Sequence, residues 1–172
     1  MKPILDGGVR GLVEEPDPVL AEQAVASHTV LVEGVARSYP EDRELLLMAS
    51  MARSTYAFAF LQDDLEAARL GAPDDEATED ALLARILEHF AIARGFAARA
   101  LGQSGGWTEA LGGQALEEAE PEAVEAALAA LGPADAEALF WLAFAWGGAL
   151  QADLDPAAAT ALPKVEAMAA RV

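Results

Sequence analysis

The sequence predicts an all-α protein built from antiparallel helix pairs. Three observations carry that expectation. Alanine, leucine and glutamate dominate the 172 residues, and strand-forming runs of Val, Ile and Thr are missing. Long apolar stretches recur with helical spacing. Short breaks rich in Pro, Gly and Asp separate them, as helix pairs require.

Residues 1–17 read as a leader, closed by Glu14-Glu15-Pro16-Asp17-Pro18, and 18–172 as a single helical-repeat domain. Asp17 is placed to cap a helix whose first position is Pro18. That helix runs to about Ser38, with Val25, Thr29, Val32 and Ala36 on one face. Tyr39-Pro40-Glu41-Asp42 stops it, because a proline disfavours helix in the residue before it. The second helix restarts near Glu41 and continues through Leu45-Leu46-Leu47 and Tyr56-Ala57-Phe58-Ala59-Phe60 to Arg69. Between Glu44 and Asp63 its only charge is Arg53.

Gly71-Ala72-Pro73-Asp74-Asp75 is a break. The third helix spans about Glu76 to Leu101, with Leu83, Leu87, Phe90, Arg94 and Ala97 in one stripe. Shorter acidic helices follow, from Trp107 to about Glu118 and from Pro121 to Leu131. Ala138 to Leu150 holds two of the three tryptophans and no charge. It is apolar on all sides, as a helix buried on several faces is. A bilayer span needs about 20 apolar residues, and this run is shorter. It is therefore expected to be the central helix of a soluble fold, with the Tyr56–Phe60 helix as its neighbour. A last helix occupies Ala157 to Val172. The joints at Ser38–Asp42 and Asp153–Pro156 resemble boundaries between tetratricopeptide units, although no strict period of about 34 residues survives. The expected architecture is thus an α-α superhelix of degenerate tetratricopeptide-like repeats, whose concave surface binds other molecules.

Acidic residues outnumber basic ones 29 to 11, for a formal charge of −18. Such a surface repels phosphate backbones and anionic headgroups, so no nucleic acid is expected as partner. Without cysteine there is no disulfide, no thiolate metal site and no thiol nucleophile. The opening residues lack the apolar core of a signal peptide.

Leu139-Phe140-Trp141-Leu142-Ala143-Phe144-Ala145-Trp146-Gly147, followed by Ala161-Leu162-Pro163-Lys164-Val165-Glu166-Ala167-Met168, resembles the T component of tripartite ATP-independent periplasmic (TRAP) transporters. So does Leu45-Leu46-Leu47 leading to Tyr56-Ala57-Phe58-Ala59-Phe60, and so does His89-Phe90-Ala91-Ile92-Ala93-Arg94-Gly95-Phe96-Ala97-Ala98-Arg99-Ala100-Leu101. Together they cover about Val25 to Val172. The resemblance implies a tetratricopeptide-like, periplasmic, non-catalytic accessory protein that self-associates as a trimer. It also implies docking to the transporter's substrate-binding P component and a small hydrophobic ligand held in a cleft or pore. Family members are lipoproteins, so membrane contact is implied only through a lipid anchor that this sequence does not contain. The family also continues with further helices beyond the point where this chain stops. A cytoplasmic helical-repeat adaptor is the rival reading.

Candidate ligand residues are Arg53, Tyr56, Phe60, Trp141 and Trp146. Arg53 offers a cation to a carboxylate ligand; its ordinary alternative is a pair with a nearby acid. The aromatic residues suit an apolar pocket with polar tips, or simple core packing. Trp141 and Trp146 diverge around their helix, so at most one of them faces a cleft squarely. His28 and His89 stand on different helices without metal spacing, and no metal or other cofactor is expected. Arg94 reads as interhelical and Arg99 as surface. No nucleophile–base motif is present, and no enzyme activity is expected. Convergence of Arg53 and His89 in one wet cleft is the observation that would reopen that question.

Overall fold

The computed structural model describes residues 11, 14–71, 76–153 and 156–172. Among them there is no strand, and the class is all-α. Helix α1 spans Pro18–Ser38, and the Asp17 carboxylate accepts hydrogen bonds from the N–H of Val19 at 3.0 Å and of Leu20 at 3.4 Å. Those are orphan donors of a first turn, and Pro18 needs no such bond. Asp42 caps α2 (Arg43–Tyr56) in the same way, accepting from Glu44 and Leu45. The expected leader lies largely outside the described residues, as do parts of the breaks at 72–75 and 154–155.

Two expected elements differ. The second helix is not continuous, because Ala57–Leu61 forms a π turn between α2 and α3 (Gln62–Gly71). Such turns change which side chains face which neighbour, and they occur often at functional sites. Here the turn leaves Phe58 48% exposed while Leu61 and Gln62 are buried. The helix expected from Trp107 to Glu118 is also shorter. Helix α4 (Glu76–Gly102) leads to α5 (Gly105–Leu111), which ends at Gly112 and Gly113, with φ of 59° and 80°. Positive φ is strained for any side chain and ends the helix there. Residues 114–120 continue as turns into α6 (Pro121–Ala129).

The tryptophan helix α7 covers Ala136–Ala152, and α8 covers Leu162–Arg171. Helix α2 packs against α1, α4 and α7, while α7 lies between α4, α2 and α8. Wholly buried Phe90, Ile86, Leu61 and Leu139 belong to the packed centre; each such side chain contributes about 1.5–3 kcal/mol relative to exposure. Gly148 explains how closely α4 and α7 approach. A Cβ there would stand 2.4 Å from the Phe90 ring, whereas one at Gly147 would make an ordinary contact with Val165. The buried Gln62 amide donates to the Gly148 carbonyl at 3.3 Å and ties α3 to the same point.

Arg43 joins three helix ends. Its guanidinium donates to the carbonyls of Ala100 at 2.8 Å and Ala134 at 3.3 Å, and to the Asp135 carboxylate at 2.8 Å. Burial pushes the Asp135 carboxyl up. Hydrogen bonds from Ser104, the Gly132 N–H and Arg43, together with the Arg43 charge, outweigh burial and hold it below the usual range. Cations on α8 satisfy other orphan carbonyls. Arg171 donates to those of Leu128 and Leu131 at the end of α6, and Lys164 to those of Leu116 and Glu117. No single helix among the described residues is long and apolar enough to cross a membrane.

Candidate functional site

Arg53 is claimed by the protein itself. Its Nε donates to Glu33 Oε2 at 2.6 Å and its Nη2 binds the same oxygen, while Arg37 holds the other oxygen of Glu33. Glu33 points inward from α1, and its side chain is only 7% exposed. A buried carboxylate needs such partners to stay ionised. Arg53 also reaches His89, with Nη1 3.3 Å from Nδ1, and the Tyr56 ring lies 5.1 Å from the imidazole. Arg53 and His89 therefore do converge. Burial, then the charges of Arg53 and Arg85, push the His89 pKa down to about 4, against weaker upward pulls from Glu88 and Glu33. At neutral pH the ring is uncharged and a weak base. It suits the role of acceptor for Arg53 better than that of proton abstractor.

Of the other candidates, Tyr56 and Phe60 sit beside one another, ring centroids 6.0 Å apart, and both are half-buried near His89. Trp141 stands on α7 among other aromatic rings. It meets Phe140 at 4.9 Å and Phe144 at 5.7 Å between centroids, and Phe144 meets Phe58 of the π turn at 5.3 Å. Phe58 and Phe140 remain 48% and 41% exposed, so this aromatic ridge is open to contact. The sequence pointed to Trp141 but not to Phe140, Phe144 and Phe58, which complete the ridge. Phe140 and Phe144 are spaced four apart on one helix face, which was a usable signal.

Trp146 leads to a groove. It is buried on α7, and the Arg94 guanidinium carbon lies 5.1 Å from its ring centroid. A cation over an indole face is an attractive pair. Arg94 stands where two open hollows of about 430 Å³ and 450 Å³ meet; Ala91, Arg94 and Glu117 line both. The first hollow is walled by Trp107, Leu111, Leu116 and Leu142, the second by Leu87, Trp146, Ala149 and Leu150. Each lies within the ~300–1,000 Å³ typical of small-molecule pockets. Arg53, Tyr56, Phe60 and Trp141 line neither.

The turn segment after α5 forms one wall of this groove. Two cations fasten it: Arg94 Nη2 lies 3.2 Å from Glu117 Oε1, and Lys164 Nζ donates to the Glu117 carbonyl at 2.7 Å. Arg94, expected to bridge helices, lies over Trp146 of α7 and also holds this segment. Arg99, expected at the surface, is exposed there and donates to the Pro40 carbonyl at 3.2 Å. Among the described residues no three His, Asp or Glu side chains gather as metal ligands.

A family model described as TRAP transporter T-component matches residues 14–172, nearly the whole chain. The chain belongs to that family. No curated protein and no solved structure gives a significant match.

Proposed function

We propose that this member of the TRAP transporter T-component family is a non-catalytic periplasmic accessory protein. It docks the transporter's substrate-binding component and holds a small apolar ligand in the groove beside Arg94 and Trp146. Its helices stack as degenerate tetratricopeptide-like repeats.

The observation that carries the docking reading is the aromatic ridge of Phe58, Phe140, Trp141 and Phe144. Large aromatic side chains left open on a strongly acidic protein are costly to leave in water, and such anchors dominate protein interfaces. Self-association as a trimer is assigned to the outer face of α1. Val19, Leu20, Val30 and Leu31 are 50–67% exposed there, and three helical turns separate the first pair from the second.

Calorimetric titration of the purified protein with the substrate-binding component of its own transporter tests docking. Phe140→Asp is expected to weaken that binding at least tenfold, since a charge replaces an interface anchor. Equal binding by the variant and the parent would move docking elsewhere. No binding by either would remove docking from the function.

A further inference from the structure

We propose that Arg94 is the head-group anchor for a small amphipathic monocarboxylate, whose apolar tail lies in the hollow walled by Trp107, Leu111 and Leu142. The inference rests on the ligand-holding half of the proposed function and adds the chemical class of the ligand.

Arg94 is the one cation lining either hollow among the described residues. Its guanidinium has one acidic partner, Glu117, whose side chain is 48% exposed and free to turn outward. Its Nε is buried with no hydrogen-bond partner. A buried N–H of a charged group that goes unpaired is costly, so the protein leaves here a donor that a carboxylate would satisfy. Arginine presents its N–H groups as a planar fork that matches both carboxylate oxygens, and the guanidinium carbon of Arg94 lies 5.1 Å from the Trp146 ring centroid.

The surroundings define the rest of the ligand. Trp107, Leu111, Leu116 and Leu142 offer an apolar wall on one side of Arg94, whereas Asp153 lines the other hollow. A second carboxylate on the ligand would meet Glu117, Asp153 and a net charge of −18, with no second cation lining either hollow among the described residues. One carboxylate and a hydrocarbon tail fit; a dicarboxylate does not. The ligand carboxylate takes the Arg94 edge while Glu117 swings toward water, and the Lys164 contacts to the Leu116 and Glu117 carbonyls keep the wall in place meanwhile.

Octanoate and 1-octanol are matched probes, titrated calorimetrically into the purified full chain with no transporter component present. The parent protein is expected to bind octanoate about tenfold more tightly than octanol, the share of a charge-assisted hydrogen bond. Arg94→Gln should abolish that preference and keep octanol binding, while Arg99→Gln, outside the groove, should keep both. Glu117→Gln, which removes the competing charge, should tighten octanoate severalfold and leave octanol unchanged. Should Arg94→Gln melt early, Arg94→Lys serves instead: retained preference supports the anchor, and equal binding of the two probes overturns it. Equal binding of both probes by the parent overturns the anchor and leaves an apolar-ligand groove standing. Binding of neither removes the ligand-holding function along with this inference.

Discussion

Arg53 and Arg94 each stand among apolar neighbours on a helix, each meets a glutamate and each lies against a ring. Their surroundings make them opposites. Glu33 is almost wholly buried and takes two bonds from Arg53, so that pair closes on itself between α1 and α2. Glu117 is half in water and takes one contact from Arg94, a groove-lining residue whose Nε is buried without a partner. Saturated charge holds a fold together, and unsaturated charge is left over for a ligand. Polarity within an apolar helix does not by itself tell the two apart.

The contrast has energetic consequences of decreasing size. Arg53→Met leaves Glu33 buried with only Arg37, and should cost about 3 kcal/mol in urea unfolding. Adding Glu33→Leu should recover most of that loss, because a buried pair exchanged for apolar residues is nearly neutral. A double variant as weak as the single one would mean that the pair is not the source of the cost. Gly148→Ala strikes the contact between α4 and α7. Its Cβ has no room beside Phe90, and a thermal melt should show a loss of about 2 kcal/mol. Arg94→Met breaks a pair whose partner is half exposed, and should cost about 1 kcal/mol or less.

Confined to acid is the contribution of His89. Its pKa of about 4 lies below the ordinary 6.5, so the unfolded chain takes up that proton first as pH falls. Stability attributable to the neutral ring is whole above pH 6.5 and declines as pH drops toward 4. The parent should therefore lose more stability than His89→Gln between pH 7 and 4.5 in parallel urea titrations. Equal losses would mean that burial and the Arg53 and Arg85 charges do not hold the ring neutral.

The helices were largely legible because their boundaries are local chemistry. Asp17-Pro18 and Tyr39-Pro40 mark ends that capping and proline geometry dictate. The π turn at Ala57–Leu61 was not legible, since nothing local distinguishes it from the helix around it. Gly112-Gly113 was legible as a stop inside the helix expected from Trp107 to about Glu118. The family was readable from three motifs, and the match over residues 14–172 bears that out.

The site was read less well, for a physical reason. Arg53 stood out as a lone charge among apolar residues, but Glu33 is the only acid between Glu22 and Glu41, one helix earlier, with Arg37 four residues on. Opposite charges on consecutive helices are more economically paired with each other than with a ligand. Arg94 drew less notice because its groove is assembled from α4, α7 and the turns after α5, which are distant in sequence. Trp146 lies under Arg94 at the second hollow, and Trp141 sits on the aromatic ridge.

One spectrum puts the contrast between the two arginines to the test. With 15N-labelled protein, the Nε–H resonances of Arg53 and Arg94 are followed while octanoate is added. The account predicts that the Arg94 resonance moves in proportion to occupancy, as an unpaired donor gains an acceptor, while that of Arg53 stays fixed on Glu33. Movement of Arg53 with Arg94 unchanged would contradict it, and so would an octanoate titration that moves neither.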